Sequence, residues 1–146
     1  MPRFPIPVVV CGRTPSIGKT VADVLKPEYE VIHFVTSLEA AQADLPLLLA
    51  GRNPQSTSSD VGTRNYSQPP RGVIFGRGFS PDSIQVLKNS CASRDREPVA
   101  WLAGDQAKLA TFSWGRGYAD EAAKSTKGVL DTWMKSAASE DAFLLF

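Results

Sequence analysis

Residues 8–20, VVVCGRTPSIGKT, bring two glycines, an arginine, a lysine and three hydroxyl side chains together directly after an apolar run. That set of residue types suits one kind of chemistry. Glycines let the backbone approach a ligand closely, and the unpaired N–H groups of a following helix attract a phosphate. The stretch is not a Walker loop. That motif places four residues between its first glycine and Gly-Lys-Thr, whereas five separate Gly12 from Gly18. The spacing matters because backbone N–H groups must wrap the phosphate before the lysine reaches it. The remaining possibilities are a dinucleotide-binding turn and a plain glycine turn between a strand and a helix.

Two other loops echo the first: FGRGF at residues 75–79 and WGRGY at residues 114–118. Arginine offers planar, bidentate donors to phosphate or carboxylate, and Phe79, Trp114 and Tyr118 could stack on a base. The bland alternative is a soluble Gly-Arg-Gly turn anchored by its aromatic neighbours. Elsewhere the chemistry is sparse. The single histidine, His33, falls inside an apolar run and reads as buried or edge-facing. Asp105 reads as a helix cap. Cys11 and Cys91 have neither a metal-ligand spacing nor a disulfide pattern, and both fall in apolar-patterned segments. No metal site and no catalytic constellation is expected.

The elements that must position these residues alternate between strand and helix. Val8, Val9, Val10 and Cys11 form a continuous apolar run, as in strands buried on both faces of a parallel sheet. Thr14-Pro15 is a cap followed by a proline at the first helical position, and Pro27 stops that helix. Residues 29–36 read as a second strand. Ser37 caps a second helix carrying Leu38, Ala41, Leu45, Leu48 and Leu49, which Pro46 interrupts or restarts and Gly51 ends. Residues 51–72 are polar and Gly/Pro-rich with almost nothing to bury, and read as a long, mobile loop. Strands at 73–75 and 99–103 flank a helix starting at Ser80-Pro81. A last helix covers about 118–138, and AFLLF follows it at residues 142–146. This is a single α/β domain over residues 1–146. It is a three-layer, Rossmann-like fold with a mostly parallel sheet of four strands, or five if AFLLF returns to it. In strand order 2-1-3-4, the loops after strands one and three flank the switch point where open α/β sheets bind ligands.

In that context CGRTPSIG resembles the nucleotide-binding unit of short-chain dehydrogenases and NmrA-like proteins, whose pattern is threonine-glycine, three residues, glycine-x-glycine. Cys11 stands in the threonine place, Gly12 and Gly18 match the outer glycines, and Ser16 replaces the middle one. The resemblance covers residues 8–37. It implies cofactor contacts from Gly12, Arg13, Thr14, Ser16, Ile17, Gly18 and Ser37, with Gly76 and Arg77 across the crevice. No carboxylate ends the second strand, and Arg13 follows the first glycine, so the implied cofactor is NADP(H) rather than NAD(H). The family's proton relay is missing: Lys124 lies six residues after Tyr118 rather than four, on another helix face.

The totals narrow the remaining classes. A net charge of +1 gives no support to a nucleic-acid or membrane-surface binder. No apolar run approaches a membrane span, and MPRFPIP lacks the apolar stretch of a signal peptide, so a cytoplasmic location is expected. The apolar AFLLF, together with Trp133 and Met134, points to a homodimer, unless these residues fold back within the chain. The expected function is binding of NADP(H) or another phosphorylated nucleotide without dehydrogenase activity. The alternative is a ligand-free Rossmann-like module acting through protein contacts.

Overall fold

The valine-rich run after Pro5 forms β1 (Ile6–Cys11), buried along its whole length. It lies at an interior position of a five-stranded sheet ordered β2-β1-β3-β4-β5. The other strands are β2 (Tyr29–Val35), β3 (Gly72–Phe75), β4 (Ala100–Ala103) and β5 (Ala142–Leu145), and every pairing is parallel. The computed structural model describes residues 5–54, 61–76, 79–91, 98–104, 116–136 and 141–146. AFLLF does fold back, as the fifth strand.

The helices are α1 (Pro15–Leu25), α2 (Leu38–Leu49), α3 (Pro81–Ser90) and α4 (Arg116–Lys135). None of the described helices is long and apolar enough to cross a membrane. Helices α1 and α4 pack together on one face, burying Val21, Leu25, Leu130 and Trp133 against Val8, Val10, Ile74 and Leu102. Helices α2 and α3 cover the other face, with Leu45, Leu48, Ile84 and Leu87 against Val9, Val73, Phe75 and Trp101. Each fully buried side chain of this size contributes roughly 1.5–3 kcal/mol. Helix α2 runs unbroken through Pro46, which removes the bond to the carbonyl four residues back but keeps its ring on the exposed side. Trp133 and Met134 are also absorbed within the chain. Trp133 lies 5.6 Å beneath the Arg71 guanidinium, and Met134 packs on the core.

The pairing of β1 with β2 shifts register between Val8 and Val9. Val8 pairs with Val31 but Val9 pairs with His33, so Ile32 is an extra residue in β2. Such a bulge breaks strict alternation. Ile32 and His33 both reach the α2 side, and Phe34 turns to the α1 side.

Residues 61–71 form a mostly exposed loop that is tied to the sheet. Thr63 and Arg64 donate their N–H groups to the carbonyls of Val31 and Ile32, covering the outer edge of β2. Gly62 sits against this bulge at φ +101, where a Cβ would come within 3.0 Å of the Ile32–His33 backbone. Only glycine fits that position without strain. Arg71 then enters β3 from a bond to the Pro7 carbonyl and holds the Pro98 carbonyl with its Nε.

Candidate functional site

The parallel register lines up the carboxyl ends of the strands. Val35, Cys11, Phe75, Ala103 and Leu145 form one row across the sheet. The residues that come after them, including Gly12, Gly76 and Phe146, make the rim. The crevice between the ends of β1 and β3 is the switch point of this strand order. The connection leaving β1 runs to β2 on one side, and the connection leaving β3 runs to β4 on the other, so the two diverge there.

A cavity of about 520 Å³ lies on the α1 side of this rim. Six of the nine residues expected to hold a cofactor line it: Gly12, Arg13, Thr14, Ile17, Gly18 and Gly76. The rest of its wall is mainly apolar, with Val10, Val21, Phe34, Ile74 and Phe146, and Thr126 adds a hydroxyl. Toward α2 and α3 lies a second cavity of about 540 Å³, lined by Arg13, Thr36, Ser37, Leu38, Phe79, Ser80 and Ser83. Arg13 and Ser37 are thus together here, and Arg13 is common to both spaces. Ser16 is exposed and lines neither; its carbonyl accepts from the Thr20 hydroxyl. Arg77, Asp105 and Trp114 lie outside the described residues, as does the side chain of Tyr118.

The three helix starts around the crevice differ. Ser37 Oγ accepts from the Ala40 N–H, and Ser80 Oγ accepts from the Ser83 N–H, so α2 and α3 are capped by their own serines. Thr14 occupies the cap position of α1, but its side chain makes no capping bond, which corrects the expected role. No acidic residue stands in the first turn of α1. An anion at that end would meet the positive end of the helix with no carboxylate competing.

The glycines have different reasons from those the motif suggests. Gly12 lacks the left-handed φ that would demand glycine, and a Cβ there would sit at an ordinary 3.6 Å from Phe34. Gly76 is equally unconstrained, with 3.5 Å to the Cys11 carbonyl. Only Gly18 is sterically required, because a Cβ would lie 2.3 Å from Phe34 Cε2. The close packing of helix on strand expected at Gly18 is therefore present, and its agent is the Phe34 ring.

Two expected side chains serve packing. Cys11 is fully buried at the crevice floor, and burial pushes its thiol far above the ordinary range. It stays protonated and is no nucleophile. Phe79 is buried edge-to-face on Phe75, 5.4 Å between ring centres, so it anchors its turn while lining the second cavity.

A polar cluster that the sequence reading missed lies below the rim. His33 Nε2 is 3.0 Å from Asp44 Oδ2, and His33 Nδ1 is 2.9 Å from the Tyr66 hydroxyl. A carboxylate only accepts, so Nε2 carries the proton, and in the neutral ring Nδ1 accepts from Tyr66. His33 and Asp44 are both buried, as expected for His33. Tyr66 is partly buried, and desolvation raises its phenol first, with the Asp44 charge adding to it and Arg64 opposing. The cluster pins residues 61–66 to β2 and α2 and lines neither cavity. Its sequence signal is Asp44 on the apolar stripe of α2 between Ala41 and Leu48, a buried charge that must have a partner. Among the described residues, no group of three His, Cys, Asp or Glu could hold a metal ion.

No protein-family model matches the chain, and no solved structure matches it with significance. It is 36% identical over 136 residues to Kojic acid related protein 6 of Aspergillus oryzae (strain ATCC 42149 / RIB 40). The match covers 92% of this chain and 82% of that protein. The chain belongs to the family of Kojic acid related protein 6.

Proposed function

We propose that this protein binds a phosphorylated nucleotide, with NADP(H) as the first candidate, across the crevice at the ends of β1 and β3. One observation carries the reading: two cavities of about 520 and 540 Å³ adjoin at Arg13 and differ in chemistry. The first, walled by Phe34, Ile74, Ile17 and Phe146, suits a planar ring. The second offers Arg13 and the hydroxyls of Thr36, Ser37, Ser80 and Ser83 beside the starts of α2 and α3, which suits a phosphate. Among the described residues no carboxylate lines either cavity, so none of them would repel a 2′-phosphate. The chain acts as a cytoplasmic homodimer and as a binding protein, without the tyrosine–lysine relay of a dehydrogenase.

Thermal unfolding with NADPH, NADH, FMN, ATP and ADP tests this. A ligand at a hundred times its dissociation constant stabilises the fold by about 2.7 kcal/mol. NADPH should give the largest shift. No shift with any of the five removes the nucleotide reading and favours a module working through protein contacts.

A further inference from the structure

We infer that the homodimer forms through the outer edge of β5 and the helix stripe beside it, with a second copy of this chain as the occupant. The two edges of the sheet are treated differently. The β2 edge is covered by Thr63 and Arg64, whose N–H groups bond to Val31 and Ile32 at 3.0 and 2.9 Å. Strand β5 has β4 as its only sheet partner among the described residues. Its Ala142 N–H bonds inward to the Val99 carbonyl and its Phe146 N–H to the Ala103 carbonyl. By the two-residue period of a strand, Phe143 and Leu145 point their backbone groups outward. Edge strands are normally blunted by charge, proline or a bulge. This one reads Ala-Phe-Leu-Leu, and Leu145 is 52% exposed.

A groove of about 520 Å³ runs beside this edge, between Leu144 and α4. Glu121, Ser125, Gly128, Thr132 and Lys135 succeed one another along α4 at alternating spacings of four and three, a single stripe on the helix. Its middle is small, and a Cβ at Gly128 would meet nothing within 4 Å. Its ends carry opposite charges. A two-fold axis at Gly128 brings Glu121 against Lys135 of the partner subunit and lets the helix backbones approach closely. The same kind of axis pairs Phe143 with Leu145 of the partner subunit, exchanging the outward N–H and C=O groups as an antiparallel ladder. The charge pattern of the stripe and the hydrogen-bond pattern of the edge are therefore both complementary to themselves. That selects a second copy over an unrelated partner.

The interface gives the proposed homodimer its surface and does not depend on nucleotide binding, which thermal shift reads separately. Sedimentation of the full chain at about 100 μM, where even a micromolar dimer is almost wholly associated, should show two 15.8 kDa chains together. Gly128→Glu places two carboxylates at the crossing point, where an added Cβ meets nothing within 4 Å among the described residues. It should sediment as a monomer with unchanged circular dichroism and a cooperative thermal transition. Glu121→Lys and Lys135→Glu should each weaken the dimer at least about fivefold, and the double exchange should restore it. A monomeric wild-type chain overturns the inference. So does a dimer that Gly128→Glu leaves intact, or charge exchanges that fail to compensate.

Discussion

Helix propensity and packing make opposite predictions for Gly18→Ala. Replacing glycine inside a helix with alanine stabilises it by about 0.8–1.0 kcal/mol when nothing else is touched. At Gly18 the new methyl would sit 2.3 Å from Phe34 Cε2, 2.7 Å from Cδ2 and 3.0 Å from Cζ. Carbon atoms pack at about 3.5–4.0 Å, so ring and helix must part by about 1.2 Å. Phe34 is 2% exposed and cannot swing into solvent. Overpacking of this kind costs roughly 1–3 kcal/mol, so after the propensity gain the net effect should be destabilisation by up to about 2 kcal/mol. For a chain of this length that lowers the melting midpoint by up to about 6 °C. Urea unfolding monitored by the fluorescence of the buried Trp101 and Trp133 gives the free energy directly. In a Phe34→Leu background the clash is relieved, and Gly18→Ala should become neutral or stabilising. If Gly18→Ala raises the stability of the wild-type chain, the ring does not press on the helix and Gly18 is not sterically required.

Arg13→Ala should weaken NADPH tenfold or more while changing NADH little, because a charge-assisted bond to the 2′-phosphate is worth about 1.5–3 kcal/mol; isothermal titration with both ligands checks it, and equal losses would take Arg13 off that phosphate. Tyr66→Phe leaves His33 Nδ1 without its donor and should cost about 1 kcal/mol. Amide exchange at Thr63 and Arg64 should speed up in that variant, and unchanged exchange would mean that the cluster does not pin the segment. The Glu28 carboxylate is held below the ordinary range first by its hydrogen bond to Lys127, with the lysine charge adding to it and desolvation opposing. A carboxyl lowered in the folded state lends stability that is present above its unfolded pKa and lost as pH falls through the folded value. Glu28→Gln should therefore flatten the acid limb of the stability–pH curve below about pH 4.5, leaving its shape above neutrality unchanged.

The elements were legible where punctuation and pattern agree. Ser80-Pro81 and Ser37 mark helix starts that the structure caps as expected, and the Val8–Val10 run is a strand buried on both sides. The position of α4 was not legible. Right-handed crossovers place the helix before β5 beside α2 and α3, whereas it packs on α1 and closes the first cavity with Ala122 and Thr126. Nothing in the amphipathic pattern of α4 distinguishes one face of a sheet from the other.

The site was legible along the chain and not across it. Residues 12–18 come after a strand and open a helix, and their shared position at the rim results from that order alone. What faces them depends on the extra residue in β2. Strict alternation through Tyr29, Val31 and His33 would put His33 under α1 and Phe34 under α2. The bulge at Ile32 exchanges them. One inserted residue thereby brings Phe34 to Gly18 and the wall of the apolar cavity, and brings His33 to Asp44 and Tyr66. Gly62 is the trace it leaves in the sequence, because the segment lying on the bulged edge leaves no room for a side chain there. The cavity and the polar cluster lie on opposite faces of the sheet, yet both depend on the same register shift.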